Sequence, residues 1–168
     1  DDECQLQLLP EENQKDVESL MNHIIESHSE NDNSNGFTKI IERGKFNSPL
    51  SERKITQREL ELLFEKHEIE KVEFIERELG SKLPYSNSSN KVHRCTYEFI
   101  FDLKENYIDQ FWIIERLIVS TADFGKIESF LHELATKHNL ILVDWNSLEI
   151  KEIKNLEILR SELMNMFK

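Results

Sequence analysis

Glycine, proline and cysteine are scarce in this chain of 168 residues, and no long apolar run occurs in it. Four glycines leave no glycine-rich loop of the kind that cradles phosphate, so a nucleotide site of that type is excluded. The two cysteines, Cys4 and Cys95, are too few for a disulfide framework or a four-cysteine zinc site. Because no stretch reaches about 18 apolar residues, neither a membrane-spanning helix nor a membrane partner is predicted.

Acidic residues dominate what is present. The 33 Asp and Glu outnumber the 21 Lys and Arg, which gives a net charge of −12, most of it in the first half of the chain. Nucleic-acid binding needs clustered cations, so no nucleic-acid partner is predicted. The charge favours a basic protein partner such as a toxin or a nuclease, attracted by electrostatic steering that weakens in salt. The alternative is an acidic surface that confers only solubility.

The N-terminal part of the chain predicts a helix followed by a loop. Between Glu11 and His28, apolar residues recur at spacings of three and four, namely Val17, Leu20, Met21, Ile24 and Ile25. The following residues, 29–36, are small, polar or acidic and predict a flexible loop. We therefore expect two parts, an N-terminal helix and loop over 1–36 and a single α+β domain over 37–168.

A second helix is predicted to begin at Thr56, because Thr56 and Glu59 form a capping-box pattern. No Gly or Pro interrupts residues 57–79, and one long or kinked helix is the favoured interpretation of this segment. The alternative is a break near His67 followed by a short strand that includes Val72 and Phe74.

The second half predicts strands at 92–102, 111–119 and 140–150. The first two should form a hairpin. A helix that begins after Asp123 and ends near Asn139 should bury Ile127, Phe130, Leu131 and Leu134, and a last helix should bury Leu156, Leu159, Leu163 and Phe167.

A helix that joins two strands normally crosses over right-handedly and leaves the strands parallel. We therefore predict an α+β fold with an antiparallel-rich sheet of three or four strands, helices on one face and an N-terminal helical extension. In this ferredoxin-like split β-α-β unit, strand 92–102 would lie between 111–119 and 140–150.

The candidate binding residues are an acidic ridge and an aromatic anchor. Glutamates are frequent between residues 59 and 78, and we expect Glu65, Glu68, Glu73 and Glu76 to face a basic partner, together with Asp144 and Trp145. The alternatives are a solvated helix face for the glutamates and a core position for Trp145.

Few residues point to catalysis. His93, Cys95 and Glu98 form the one local cluster, since an imidazolium near a thiol lowers its pKa. Glu128 and His132 lie four apart on a predicted helix and could share a metal ion. Burial and solvation explain these residues more simply, so no catalytic residue, metal or cofactor is predicted. A Cys4–Cys95 bridge would form only in an exported protein.

Two segments resemble known families. Residues 111–147, with LHELA in the helix and VDW at the end, look like the B-type regulators of ribonuclease E. That resemblance implies a ferredoxin-like fold and an acidic protein that inhibits a ribonuclease by binding it. Residues 74–84, FIERELGSKLP, are similar to the opening motif of the SMI1/KNR4-like immunity proteins, in which a helix runs into Leu-Gly-x-x-Leu-Pro. That resemblance implies contact with a toxin.

The sequence therefore favours a non-enzymatic, cytoplasmic protein that binds and neutralises a protein partner. One alternative is a small enzyme with an unrecognised site. Another is an exported accessory or structural protein, in mature form after removal of a signal, because the first residue is not Met.

Overall fold

The computed structural model describes residues 6–30, 46–72, 74–76, 82–84, 91–94, 97–115 and 124–165. The strands are β1 (Leu6–Pro10), β2 (Glu70–Val72), β3 (Phe74–Glu76), β4 (Lys82–Pro84), β5 (Lys91–Arg94), β6 (Tyr97–Lys104), β7 (Tyr107–Glu115), β8 (Leu140–Asp144) and β9 (Glu149–Lys151). The helices are α1 (Gln14–Glu30), α2 (Gln57–Lys66), α3 (Phe124–His138) and α4 (Leu156–Asn165). The predicted α+β class, with an antiparallel sheet and an N-terminal helix, is confirmed.

Seven strands form one sheet in the order β2-β5-β6-β7-β1-β8-β9, while β3 and β4 pair separately. β1 is antiparallel to both β7 and β8, so those two strands run parallel and are joined through α3. This is a split β-α-β arrangement, but the predicted middle strand is wrong. Residues 6–10 lie between the parallel strands, whereas β6 lies on the far side of β7. A five-residue strand buried on both faces shows no alternation of apolar and polar residues, so the sequence pattern did not reveal it.

The strand that precedes the N-terminal helix, β1, is thus part of the sheet. β1 pairs with Ile113 at one side and with residues of β8 at the other. The predicted domain boundary at residue 36 and the loop that precedes it lie outside the described residues, except that α1 continues to Glu30.

Helices α2, α3 and α4 lie on one face of the sheet, as predicted, and the N-terminal helix α1 covers the other face. The face with α2, α3 and α4 buries a large apolar core that includes Leu8, Phe64, Phe111 and Phe130. The other face carries α1 and a smaller cluster around Val17 and Val143. Adjacent residues of β8 alternate between the two clusters, and all five are buried. A strand that is apolar at successive positions requires cover on both sides.

Five phenylalanine rings form the centre of the larger core, namely Phe64, Phe99, Phe101, Phe111 and Phe130. The rings of Phe64 and Phe130 stack with centroids 4.5 Å apart and an interplanar angle of 13°. Phe99 meets Phe130 edge-on at 5.1 Å. Because these rings come from α2, β6, β7 and α3, they join both helices to the sheet.

Within 57–79, the described residues form a helix followed by strands, so the alternative interpretation is the right one. Thr56 caps α2 as predicted, its side chain accepting a hydrogen bond from the Glu59 amide at 3.1 Å. The helix ends at Lys66, and Glu68 adopts a φ of 55°, which lies in the left-handed region and turns the chain into β2. Residues 74–76 are likewise a strand, paired with 82–84.

Strands β6 and β7 form one hairpin of the sheet, and β8 and β9 form another. The predicted pairing of β6 with β7 is confirmed, and Glu105 and Asn106 between them both have positive φ, as a type I′ turn requires. The predicted single strand 140–150 is instead a second hairpin, in which β9 turns back along β8. The Asp144 carboxylate accepts the Asn146 and Ser147 amides at 2.9 and 3.1 Å, and this bonding fixes the turn.

The predicted α3 stripe is confirmed, since all four of its apolar residues are buried. Asp123, Leu163 and Phe167 are outside the part whose side chains the structure describes. Among the described helices, none is both long and apolar enough to cross a bilayer.

Candidate functional site

A groove of about 530 Å³ lies between α1 and the segment that contains β9, and we call it the α1–β9 groove. One wall is a face of α1, on which Gln14, Glu18, Met21, Asn22 and Ile25 recur at helical spacing. The opposite wall is formed by residues 148–154. The first residues of β8 also line the groove, so it is built on the edge of the sheet that β9 closes.

Apolar side chains make up part of the lining of the α1–β9 groove. Met21 and Ile141 are buried, whereas Leu148 and Ile150 are half-buried. Ile25 is 53% exposed, which is the largest exposure among the big apolar side chains that the structure describes. Apolar side chains that remain open to water within a concave surface are typical of a site that another molecule covers.

The rim of the groove is acidic. Its two lysines are already paired within the protein, Lys151 with Glu149 and Lys154 with Glu11. Glu18 and Glu152 accept only hydrogen bonds, from the Gln14 side chain at 2.8 Å and from the Lys154 amide at 2.9 Å, and neither has an ion pair among the described residues. One of these carboxylates lies on each wall, so an occupant would meet negative charge on both sides.

A second, more open depression of about 490 Å³ lies beside α3, lined by His67, His132, Glu133, Lys137 and Leu156 among others. Here two of the lining side chains, His67 and Glu133, are bonded to each other. Glu133 accepts from Lys66 Nζ at 2.7 Å and lies 2.9 Å from His67 Nε2.

The bonds at Glu133 have a counterpart at the other end of the same helix pair. Glu59 of α2 accepts from Lys137 Nζ at 2.5 Å and lies 2.8 Å from His138 Nε2. Each helix thus ends in a Lys-His pair that binds a glutamate of the other helix, and we call this arrangement the Lys-His clasp. The first turn of α2 meets the end of α3 through Glu59, and the end of α2 meets α3 further back, at Glu133, so the two helices run antiparallel.

Electrostatics favour the ionised form of both clasp glutamates. Hydrogen bonding from Lys66, with a further bond from His67, holds the pKa of Glu133 below its usual value. Burial raises the pKa of Glu59, but the bonds from Lys137 and His138 outweigh that effect and lower it overall. The clasp therefore stabilises the packing of α2 on α3 while both carboxyls are ionised.

The structure describes only part of the predicted acidic ridge. Glu65 lies exposed on α2, and Glu68 is exposed with its carboxylate 3.4 Å from Lys126 Nζ. Glu73 falls outside the described residues, and of Glu76 the structure describes only its place in β3. Neither Glu65 nor Glu68 lines the α1–β9 groove. Their predicted role in partner binding stays a prediction.

Asp144 and Trp145 lie together but are buried. Trp145 is 8% exposed and its Nε1 donates to Gln7 Oε1 at 3.0 Å. Its ring stacks on Phe46 with centroids 6.2 Å apart. Asp144 is 6% exposed and bonds to its own turn. These contacts match the core alternative for Trp145, and the predicted role of both residues in partner binding stays a prediction.

The residues suggested for an enzymatic site are not brought together by what the structure describes. Cys95 falls outside the described residues, as does Cys4. The β5–β6 ladder pairs His93 with Phe99, so His93 does not lie opposite Glu98.

The two residues suggested as metal ligands each have another partner. Glu128 is 3% exposed and bonds Arg160 Nε at 3.1 and 3.2 Å, while His132 Nδ1 lies 3.3 Å from the Ile153 carbonyl. Within the described ranges no group of three His, Cys, Asp or Glu residues is placed to hold a metal ion.

Two aspartates of the β6–β7 hairpin interact with one another. Burial, and then the charge of Asp109, raise the pKa of Asp102. Asp109 accepts a hydrogen bond from Ser51 Oγ at 2.6 Å. Neither carboxylate lines the α1–β9 groove or the depression beside α3, so the pair belongs to neither of these two sites.

Sequence reasoning missed the α1–β9 groove. It placed Ile25 in the buried stripe of α1, although Ile25 lies at the edge of that stripe, immediately after Ile24. The opposite wall belongs to residues 148–154, of which the sequence assigned only Leu148 and Ile150, as an extension of the strand that begins at Leu140. The sequence did carry one signal for the groove. The five apolar positions predicted for α1 form a stripe wider than a short sheet edge can cover, so part of that stripe was free to line a site.

Comparison of the chain with protein-family models, with curated proteins and with solved structures finds no match.

Proposed function

We propose that the protein is a non-enzymatic binding protein that captures a basic protein partner and neutralises it by contact. The observation that carries this proposal is the α1–β9 groove, in which exposed apolar side chains lie between acidic residues that have no ion pair among the described residues. A net charge of −12 would steer a cationic partner toward this surface.

The apolar and the charged residues of the groove contribute to different quantities, the apolar residues to affinity and the charged residues to the rate of association. Covering Ile25 and the half-buried Leu148 and Ile150 removes apolar surface from water, which supplies affinity. Glu18 and Glu152 are exposed on the rim, so they act mainly on the rate of association and on its salt dependence. The ribonuclease E regulators and immunity proteins that segments of the sequence resemble act by contact, which makes basic ribonucleases and toxins the first partners to test.

A cationic peptide of leucine and lysine provides a defined probe of this proposal. We expect it to bind the wild-type chain with an affinity that falls as salt rises, whereas a peptide of leucine and glutamate should not bind. Ile25→Gln should weaken binding by about tenfold, the factor that corresponds to roughly 1.4 kcal/mol of lost apolar contact. Fluorescence anisotropy at two salt concentrations measures both effects.

Leu62→Gln is the matched control, because Leu62 is also a large apolar side chain, 47% exposed on a helix, but lies outside the groove. It should leave the affinity unchanged. Equal weakening by both substitutions would place the contact elsewhere, and failure of the wild-type chain to bind the cationic peptide at low salt would refute the proposed function.

A further inference from the structure

We infer that the groove takes an amphipathic helix of the basic partner, seated with an apolar stripe against Met21 and Ile25 and with lysine or arginine on both flanks. This inference rests on the proposed function, because it names the part of the partner that the α1–β9 groove accepts.

The length of the groove fits a helix of a few turns. The α1 wall extends from Gln14 to Ile25, which at about 1.5 Å per residue is roughly 17 Å. A partner helix of about eleven or twelve residues has the same length, and its apolar stripe recurs every three or four residues, as the groove-facing residues of α1 do.

The two carboxylates without an ion pair among the described residues lie on opposite walls of the groove. Glu18 lies on the α1 wall and Glu152 on the wall that follows β9. A basic amphipathic helix carries cations along both borders of its apolar stripe, so both carboxylates would be matched at once. An extended strand exposes its side chains in alternation and presents a narrower apolar edge to such a groove.

The neighbouring sheet edge argues against the other common mode, in which a partner adds a strand. β9 is only three residues long and carries Glu149 and Lys151 at its two ends. Short, charged edge strands are the devices that proteins use to prevent pairing of this kind. A second copy of the chain is also disfavoured, since its net charge of −12 and acidic α1 would be repelled by the rim.

Two peptides of identical leucine and lysine content, each about fourteen residues long, test the inference. One repeats leucine at helical spacing and the other alternates leucine with lysine, so the two differ in periodicity but not in charge. At concentrations below peptide self-association we expect the helical peptide to bind at least about tenfold more tightly. The methyl resonance of Met21, which lines the groove, reports on groove occupancy.

The outcomes separate the inference from the function on which it rests. Tighter binding of the helical peptide, a saturable shift of the Met21 resonance and loss of both in Ile25→Gln would support the inference. Equal or tighter binding of the alternating peptide, or binding without a Met21 shift, would overturn the inference and leave the proposed function standing. Binding of neither peptide would overturn both, and a Met21 shift that follows protein concentration alone would show a second copy in the groove.

Discussion

The two faces of the sheet are covered to different degrees. On the α2–α3 face, five phenylalanine rings are all buried, and the Lys-His clasp bonds the two helices across their contact. On the α1 face, a smaller cluster around Val17 and Trp145 is flanked by a groove that leaves Ile25 open to water. The larger core supplies most of the apolar burial, so the α1 face is free to leave surface for a partner.

This contrast predicts that stability and binding are separable by mutation. Substitutions in the phenylalanine core should destabilise the fold without a direct effect on the groove. Substitutions at the groove should weaken binding with little effect on stability, because Ile25 buries only part of its side chain.

The largest effect is expected from Phe130→Ala. Phe130 is fully buried and contacts Phe64 at 4.5 Å, so its truncation leaves a cavity that α2, α3 and the sheet cannot close. We expect a loss of about 3–5 kcal/mol in the free energy of unfolding, measured by urea denaturation. Phe46→Ala removes the same atoms from the half-buried ring on the α1 face and is the matched control. An equal loss in both variants would contradict the proposed difference between the faces.

The elements that sequence predicted well are those whose signal lies within one segment. The α3 stripe, the Thr56 cap and the β6–β7 hairpin each depend on residues close together in the chain. The middle strand of the split β-α-β unit depends on a pairing between Leu6 and Ile113, and nothing local to residues 6–10 specifies that register. The same reason applies to the break of α2 at Lys66, where a high helical propensity yields to pairing of β2 with β5.

The candidate site was harder to predict than the fold. Acidic composition indicated a basic partner, but composition did not show which carboxylates lack an ion pair. Glu68 looked available in the sequence and contacts Lys126, whereas Glu18 and Glu152 drew no attention and line the groove. Trp145 was weighed as an anchor because of its residue type, and its bond to Gln7 explains why it lies in the core instead.

A smaller effect is expected from Trp145→Phe, which tests how much the buried Trp145–Gln7 bond on the α1 face contributes to stability. Phenylalanine keeps an aromatic ring against Phe46 but removes the donor to Gln7 Oε1, leaving a buried carbonyl oxygen without its bond. We expect a loss of about 1–3 kcal/mol in unfolding free energy. Adding Gln7→Leu should restore part of it, since both polar partners are then absent. Peptide affinity should not change, and a tenfold loss at unchanged stability would identify Trp145 as a contact residue.

The smallest effect is expected at the Lys-His clasp, where Glu59 and Glu133 are 29% and 38% exposed. Because the folded state lowers the pKa of both carboxyls from the usual 4.5, the stability they contribute is complete above that value and is lost as pH falls through the folded-state pKa. Glu59→Gln and Glu133→Gln should each cost about 0.2–1 kcal/mol at pH 7 and flatten the decline of stability below about pH 4.5. Urea denaturation at pH 7 and pH 3.5 measures this, with Glu65→Gln on the exposed side of α2 as control. If both clasp variants lose as much stability on acidification as the wild type does, the carboxylates do not hold α2 against α3, and the difference between the two faces rests on the phenylalanine core alone.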